Sequence, residues 1–319
     1  MREALILIVS TIADIATDAV VGALNKRGAA HVRINTEDLP FERTASLHYA
    51  NADNDFAADA YGGTPSTVWY RRMRSPSRPH SMDQGIYDFC LRENRAALLG
   101  GLLALETRWM SHPAAIWQAE FKPFQLRVAE RIGLQIPPTI ISNDPDAIRR
   151  MYTDFGPLIV KSASSGHLSI GDQGFAIYTT RLAEEHLEFL DEARLAPSIY
   201  QKLIPKRFDI RVTCIGEEQL FAAAIHSQTD PAATIDWRQT INPNLPHSKV
   251  DLPPSLVEQL RTLMRQLNLK FGCIDLIQTL DDDYVFLEVN PSGQWLWLDD
   301  QLELGISDAI ASWLEGETS

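Results

Sequence analysis

The sequence has few of the residues and segments that mark several large classes of protein. Its three cysteines in 319 residues, Cys90, Cys214 and Cys273, lie far apart and show neither Cys-x-x-Cys nor Cys/His spacing. We therefore expect no disulfide framework and no structural zinc site. No stretch approaches the ~18 consecutive apolar residues that a membrane-spanning helix needs. These absences predict a cytoplasmic protein without a membrane anchor.

Positive charge is also scarce. The chain has 29 Lys and Arg residues against 42 Asp and Glu, a net charge of −13, and only seven of the basic residues are lysines. Such a chain is a poor candidate for binding nucleic acid or anionic lipid through bulk charge. Apolar residues make up 45% of the sequence, which is enough for a core and excludes wholesale disorder. The length predicts two or three domains or lobes.

The beginning of the chain has the pattern of a βαβ unit. We predict a buried strand over Leu5–Ser10, which is too short and too closely followed by acidic residues for a signal peptide. A helix over Ile15–Arg27, ended by Gly28, and a second strand over Ala30–Ile34 follow. This order favours a parallel sheet. A dinucleotide-binding G-x-G-x-x-G is absent after the first strand.

The rest of the chain predicts a mixture of strands and helices. Short strands are expected over 45–72, ending in Thr67–Arg72, and a helix over Met82–Trp109 should be interrupted at the costly pair Gly100–Gly101. The further predictions are helices Lys122–Ile132, Leu182–Ala193 and Asp299–Leu314, a helix start at 143–146, strands Leu158–Lys161, Phe175–Thr180 and Ile199–Ile204, a loop Ser162–Gly174, and hairpins Asp209–Ile215/Leu220–Ser227 and Phe271–Leu280/Tyr284–Asn290. The fold class is α/β (α+β) with three lobes, 1–115, 116–196 and 197–319.

Lys161 is the first candidate functional residue, because it closes the apolar strand GPLIVK. A buried ammonium needs an anionic partner or loses its proton. The small residues from Ser162 to Gly166 could close over phosphate oxygens with backbone and hydroxyl donors. The alternative is a surface lysine before a flexible loop.

The segment 200–212, YQKLIPKRFDIRV, is the second candidate. Its residues Gln201, Lys202 and Leu203 could meet a flat heterocycle. Asp209 and Arg211 are two residues apart on a strand and share a face. Arginine suits phosphate or carboxylate because its fork binds bidentately. Taken alone, this pair is better explained as a surface ion pair.

Asp275, Glu288 and Asn290 are oxygen-bearing side chains within otherwise apolar strands. Converging carboxylates repel each other unless a cation lies between them, and oxygen ligands favour Mg²⁺ or Mn²⁺, which also hold substrate phosphates. We therefore favour a metal site over hairpin-end residues that bond to turn amides. Histidine ligand spacing and a G-x-S-x-G nucleophile motif are both absent.

The order of these features resembles the ATP-grasp superfamily, and within it the microviridin-type maturases that crosslink ribosomal peptides (graspetides). The N-terminal part resembles the pre-ATP-grasp domain of that group. The resemblance is carried by WYRRMRSP (69–76), FKPFQLRVAERIGLQIPPTIISNDP (121–145), PLIVKS (157–162), YQKLIPKRFDIRV (200–212), DWR (236–238) and FLEVNPSGQWLWLD (286–299).

The resemblance implies a role for each matching residue. Lys122 and Lys161, with Ser162, would reach the phosphates of ATP. Adenine would be bound by Gln201, Lys202 and Leu203, and Asp209 would lie near the ribose or the substrate. Two Mg²⁺ ions would be bound by Asp275, Glu288 and Asn290. The transferred phosphoryl group and the substrate carboxylate would be contacted by Arg211 and Arg238. Residue 201 is Gln where many ATP-grasp enzymes have an acid.

The implied reaction is ATP-dependent ligation within a precursor peptide that has a leader and an acidic core. An Asp or Glu side chain would become an acyl phosphate and then an ester or amide, with Asp209 or a phosphate oxygen as the base. A leader helix beside residues 225–250 and a homodimer are expected, without nucleic acid or membrane partners. The alternatives are a ligase of the RimK type, which adds an amino acid to a small molecule or protein tail, and a non-catalytic nucleotide- or peptide-binding module.

Overall fold

Three main β-sheets, each formed by a different part of the chain, organise the protein. The computed structural model describes residues 4–44, 46–47, 61, 63–164, 166–170 and 173–316. The mixture of helices and strands confirms the predicted α/β class. Of the short strands predicted over 45–72, the part over 48–60 lies outside the described residues.

The N-terminal sheet is parallel and confirms the predicted βαβ opening. Its strands have the order β2-β1-β3-β4. Helix α1 begins after Asp14, which accepts a hydrogen bond from the Thr17 amide, and ends at Gly28 with a left-handed φ of 71°. The elements are β1 (Ile6–Ser10), α1 (Ile15–Arg27), β2 (His31–Asn35), β3 (Thr67–Tyr70) and β4 (Arg108–Trp109).

Helix α2 (Gln84–Leu103) corrects the prediction of a break at Gly100–Gly101, because it runs through both glycines. A Cβ at Gly101 would lie 2.4 Å from the Tyr61 hydroxyl, so this glycine permits close packing against the helix. Two short helices, α3 (Pro113–Ala119) and α4 (Lys122–Arg131), lead towards the next sheet.

The central sheet has the strand order β5-β10-β6-β9. Three predictions here differ from the structure. The loop predicted over 162–174 contains a hairpin, β7 and β8, and the strand predicted over 175–180 is divided between β8 and β9. The predicted helix Leu182–Ala193 is a 3₁₀ helix, Glu184–Leu195. The elements are β5 (Thr139–Ser142), α5 (Pro145–Phe155), β6 (Leu158–Ser162), β7 (His167–Ile170), β8 (Gln173–Ala176), β9 (Thr180–Leu182) and β10 (Ser198–Lys202).

The C-terminal sheet is antiparallel with the order β13-β12-β11-β14-β15 and contains both predicted hairpins. The single C-terminal helix predicted over 299–314 is instead two helices, because the chain turns at Glu303 and Gly305, whose φ values are 49° and 75°. The elements are β11 (Lys206–Ile215), β12 (Gln219–Ile225), β13 (His247–Lys249), α6 (Pro254–Gln266), β14 (Phe271–Thr279), β15 (Tyr284–Asn290), α7 (Leu296–Leu302) and α8 (Ile306–Glu315).

The N-terminal and C-terminal sheets share their hydrophobic cores. Ile6 and Ile8 of β1 belong to one buried cluster with Ile306, Ile310 and Leu314 of α8. The central sheet packs on a separate cluster of six buried residues: Ile148, Met151, Leu158, Leu182, Leu190 and Tyr200. The domain boundaries after residues 115 and 196 stay predictions. Among the described helices, none is long and apolar enough to cross a membrane.

Candidate functional site

A cleft of about 550 Å³ lies between the central and C-terminal sheets. This volume is within the usual range for small-molecule sites. Ten of the twelve predicted site residues line it: Lys122, Lys161, Ser162, Gln201, Lys202, Leu203, Asp209, Arg238, Asp275 and Glu288. The fold therefore brings residues separated by up to 166 positions to one site.

The other two predicted residues, Arg211 and Asn290, lie beside the cleft rather than in its described lining. Arg211 donates from Nε to Asp275 Oδ1 at 2.6 Å and from Nη2 to Oδ2 at 3.1 Å, which is a buried bidentate ion pair. Its Nη1 donates to the Gln294 carbonyl at 3.1 Å. The Asn290 Oδ1 accepts a hydrogen bond from the Ser292 amide at 3.2 Å. Arg211 therefore contacts Asp275, which lines the cleft, but does not itself belong to the described lining.

The two predicted metal-binding carboxylates are neighbours because Asp275 of β14 is directly opposite Glu288 of β15. Burial raises the pKa of Asp275, an effect that Arg211 opposes and Glu288 reinforces. Burial alone would also raise the pKa of Glu288, but Lys161, Lys122 and Arg238 lower it to about 2. Glu288 is therefore ionised at neutral pH and placed among cations.

Two lysines face this carboxylate pair. Lys122, the first residue of α4, places its Nζ 3.2 Å from Glu288 Oε2 and donates a hydrogen bond to the Ser162 carbonyl at 3.4 Å. Lys161 lies at the end of β6, where burial lowers its pKa and Glu288 opposes that shift. Two cations next to one carboxylate leave positive charge available for an anionic ligand.

The lining of the cleft also contains a buried amide. The Gln201 side chain is 1% exposed, and its Nε2 donates to Thr139 Oγ1 at 2.9 Å. Its Oε1 has no hydrogen-bond partner among the described residues. The backbone amide of Leu203 donates to the Pro157 carbonyl at 2.9 Å. A buried acceptor without a donor is costly, so the cleft wall at Gln201 favours a ligand that carries an N–H.

Asp209 lies on another wall and is fully engaged by neighbours. Lys206 Nζ is 2.7 Å from its Oδ2, and the Ser227 hydroxyl donates to the same oxygen at 2.5 Å. Burial raises the pKa of Asp209, and Lys206 and Ser227 oppose that rise. Neither partner was predicted from the sequence. Lys206 could have been noticed as one of only seven lysines, whereas nothing local to Ser227 marks it.

Asp236 joins the two sides of the cleft and was also missed, although it lies within the DWR motif. It binds the Arg238 guanidinium with both oxygens at 2.8 and 2.7 Å. Its Oδ2 accepts the backbone amide of Thr179 at 3.1 Å, and Gln239 Nε2 donates to the Thr179 carbonyl at 2.9 Å. The segment before β9 is therefore connected to the C-terminal side of the cleft through both the backbone amide and the backbone carbonyl of Thr179.

Each of the four carboxylates in the described lining has a cationic partner. The pairs are Asp209–Lys206, Asp236–Arg238, Asp275–Arg211 and Glu288–Lys122. Lys161 and Lys202 add positive charge that these pairs do not use. The cleft can thus bind polyanions although the whole chain is acidic.

The carboxylate pair fits a hard divalent cation. Among the described residues there is no group of three His, Cys, Asp or Glu side chains that could hold a metal ion by themselves. Mg²⁺ is usually bound by one or two carboxylates together with substrate phosphates, which matches Asp275 and Glu288 with Asn290 two residues further along β15. Each Asp275 oxygen accepts one hydrogen bond from Arg211 and keeps a second lone pair.

Comparison with known proteins places these features in context. The sequence model of the MvdD pre-ATP grasp domain matches residues 5–116. A search of curated proteins found no match.

Three solved structures resemble the chain over almost its whole length. A RiPP-associated (ribosomally synthesised and post-translationally modified peptide) ATP-grasp ligase from Chryseobacterium gregarium, in complex with ADP and a leader and core peptide, is 27% identical, with 99% of this chain and 98% of that chain covered and a TM-score of 0.90. Macrocyclase MdnC from Microcystis aeruginosa, bound with precursor peptide MdnA, is 30% identical with 98% and 99% covered and a TM-score of 0.85. Macrocyclase MdnB from the same organism is 31% identical, with the same coverage and a TM-score of 0.80.

Proposed function

The chain belongs to the RiPP-associated ATP-grasp ligases that include the macrocyclases MdnC and MdnB, and from this premise we propose that it crosslinks a ribosomal precursor peptide. In the proposed reaction, Asp or Glu side chains are activated as acyl phosphates and joined to Ser, Thr or Lys side chains of the same peptide. The observation that carries this proposal is the cationic cleft in which Lys122, Lys161 and Glu288 meet.

The cleft accommodates ATP with its base and phosphates at opposite ends. The exocyclic amine of adenine would give Gln201 Oε1 the donor that it lacks among the described residues. Lys202 and Leu203 continue the same wall. The phosphates would then extend towards Lys122, Lys161 and Ser162, where two ammonium groups compensate their charge.

Asp275, Glu288 and Asn290 would hold Mg²⁺, as two ions in the full proposal, and the metal would supply charge neutralisation at the β- and γ-phosphates. The residues that surround them prepare this end of the cleft. Arg211 fixes the orientation of the Asp275 carboxylate, and the neighbouring lysines keep Glu288 ionised.

The first step needs positioning rather than a protein nucleophile. An oxygen of the substrate carboxylate attacks the γ-phosphorus, the bond to the β–γ bridging oxygen breaks, and ADP leaves. Arg238, whose side chain is half exposed at the cleft, would orient the substrate carboxylate. Arg211, which is paired with Asp275, would stabilise the negative charge of the transferred phosphoryl group.

In the second step, a hydroxyl or amine attacks the acyl carbon and phosphate leaves, so each crosslink removes one water from the peptide. Asp209 is the candidate acceptor for the nucleophile's proton. It can act only if the substrate displaces the Ser227 hydrogen bond, because its carboxylate also contacts Lys206. A phosphate oxygen is the alternative acceptor.

The peptide must also be recognised outside the cleft. We expect a leader helix beside residues 225–250, where the Trp297 ring lies 5.0 Å from those of both Trp237 and His247. Such a cluster next to Arg238 could receive an apolar side chain of a peptide whose acidic residue enters the cleft. A homodimer and a cytoplasmic location remain predictions.

Mass spectrometry tests the proposed function directly. A candidate precursor peptide incubated with the enzyme, ATP and Mg²⁺ should lose one water mass per crosslink and release one ADP per crosslink. Omitting ATP is the control for spontaneous loss of water. Addition of an amino-acid mass would instead favour a ligase of the RimK type. Nucleotide binding without ADP release would favour a non-catalytic module.

A further inference from the structure

The loop Asn290–Trp295, which follows β15, is held from outside the cleft by two arginines of the N-terminal part of the chain. Arg71 and Arg72 come directly after β3. Arg71 Nη2 donates to the Gly293 carbonyl at 2.9 Å and to Gln294 Oε1 at 3.2 Å. Arg72 Nη2 donates to the Ser292 carbonyl at 3.1 Å. Three consecutive residues of the loop thus accept hydrogen bonds from this pair.

The two arginines are themselves fixed. The Arg71 side chain is 1% exposed, and its guanidinium lies 4.8 Å from the ring centroid of Trp295. Asp14 Oδ2 is 3.6 Å from Arg71 Nε and 3.9 Å from Arg72 Nε, and it accepts the Ser10 hydroxyl at 2.9 Å. Arg71 Nε and Nη1 have no hydrogen-bond partner among the described residues, so the Asp14 carboxylate and the two bonds from Nη2 are the polar contacts that hold this buried guanidinium.

On its other side, the same loop is connected to the carboxylates of the cleft. Arg211 donates to the Gln294 carbonyl while it also chelates Asp275. The Ser292 amide donates to Asn290 Oδ1. A Cβ at Gly293 would lie 2.4 Å from Cys273 Cβ, so the loop rests directly on β14 and any other residue there would displace it. Movement of 292–294 would therefore reach both Asn290 and Asp275.

We propose that Arg71 and Arg72 are positioning residues that set the metal-binding end of the cleft from the N-terminal part of the chain. They hold the backbone of residues 292–294, which in turn places the Asn290 amide and supports the Arg211–Asp275 pair. The affinity for the divalent cation that accompanies the nucleotide then depends on Arg71 and Arg72, although these residues contact neither the cation nor the nucleotide. This inference rests on the proposed function only in assuming that the cleft binds a metal–nucleotide complex.

The experiment compares Arg72→Ala with Arg27→Ala. The two side chains are 30% and 32% exposed and both belong to the N-terminal part, but Arg27 pairs with Glu315, away from the loop. Mn²⁺ binding to the enzyme–ADP complex is titrated by electron paramagnetic resonance, and ADP binding without metal is measured separately. We expect Arg72→Ala to raise the Kd for Mn²⁺ about tenfold, or about 1.4 kcal/mol, without changing the Kd for ADP. Arg27→Ala should change neither.

A purely structural role of Arg72 would weaken ADP and Mn²⁺ binding together, so the selective loss is the diagnostic result. Arg72→Lys keeps a donor for the Ser292 carbonyl and should show a smaller loss of Mn²⁺ affinity. This variant also provides the measurement if Arg72→Ala folds poorly. Unchanged Mn²⁺ affinity in both Arg72 variants overturns the inference alone. Failure of the wild-type enzyme to bind Mn²⁺ and ADP overturns the proposed function as well.

Discussion

The two walls of the cleft differ in how they are built. The C-terminal wall belongs to a five-stranded sheet whose core is shared with the N-terminal sheet. Among the described residues, the central wall rests on a cluster of six buried side chains. It also exposes large apolar side chains, including Ile170 at 62% and Phe189 at 64%. Because local stability follows the amount of buried apolar contact, the central wall is expected to open more easily.

The chemistry is divided in the same way. All four lining carboxylates lie on the C-terminal side, whereas Lys161, Ser162 and Gln201 lie on the central sheet. The more strongly packed wall therefore carries the groups that need exact relative placement, namely a carboxylate pair and its arginine. The less packed wall carries a lysine and an amide, Lys161 and Gln201, which in the proposed function contact the nucleotide. We therefore expect the site to be complete only when the two walls are held together, as they are by the hydrogen bond between Asp236 and the Thr179 amide.

The largest expected effect comes from removing the charge of the strongly packed wall. Asp275→Asn combined with Glu288→Gln should lower peptide-dependent ADP release at least about 10³-fold, because the metal ligands and their field are both lost. ADP release with precursor peptide present measures this. Glu217→Gln, which alters an exposed ion pair with Lys270, is the matched control and should retain activity. Undiminished turnover in the double variant would refute the metal assignment.

The second prediction concerns the central wall. Lys161→Met keeps the length of the side chain but removes the charge, and should lower kcat/KM for ATP about 10²-fold through lost phosphate stabilisation. Steady-state kinetics with ATP as the varied substrate provide the measurement. Lys26→Met, on the exposed face of α1, is the control. An equal kcat/KM in both variants would mean that Lys161 does not contact the phosphates.

The third prediction concerns the connection between the walls. Asp236→Ala removes the acceptor for the Thr179 amide and the partner of Arg238, so the central wall should open more often. Hydrogen exchange over residues 173–182 should become several-fold faster, and ADP release should fall about tenfold. Asp230→Ala changes an acid of the same segment that bonds to Thr240. Equal exchange rates in the two variants would argue against the connection.

The smallest effect is expected at Asp14, which lies outside the described lining of the cleft and is connected to it through Arg71 and Arg72. Asp14→Asn should lower the free energy of unfolding by about 1 kcal/mol at pH 7, because a buried charged acceptor becomes neutral. Arg71, together with Ser10 and Arg72, lowers the pKa of Asp14 despite its burial. The stabilisation is therefore complete above the unfolded pKa of ~4 and is lost as the pH falls through the lower folded value.

Denaturant unfolding of Asp14→Asn and the wild type between pH 7 and pH 3 provides the measurement. The difference between the two proteins should narrow below about pH 4. A difference that stays constant down to pH 3 would show that the Asp14 carboxylate charge does not contribute.

Short-range patterns predicted much of this fold. The boundaries of α1 follow from Asp14 before it and Gly28 after it, and the alternation of residues in β14 and β15 placed Asp275 and Glu288 correctly in neighbouring strands. One wrong prediction depended on a contact distant in sequence. Gly101 did not break α2, because its missing side chain makes room for Tyr61, forty residues earlier.

In the candidate site, too, contacts between residues distant in sequence could not be predicted. Residues with a distinctive type in an unusual setting, such as Lys161 in an apolar strand, could be selected from sequence and do line the cleft. Ser227 and Thr139 could not, because their importance comes from partners 18 and 62 residues away, and the DWR motif marked Asp236 without revealing its bond to Thr179. The resemblance to a family supplied the assignment of ATP, which the residues alone left open.

The packing of α8 against α1 has a consequence for the synthesis of the protein. Arg27 and Glu315, which pair across these helices, are 288 residues apart. At a translation rate of ~5–20 residues per second, the ribosome needs roughly 15–60 s to make the intervening chain. During that time the face of β1 that carries Ile6 and Ile8 lacks α8, which packs together with α1 in the same buried cluster. The nascent N-terminal sheet must therefore remain protected from aggregation until the last helix emerges.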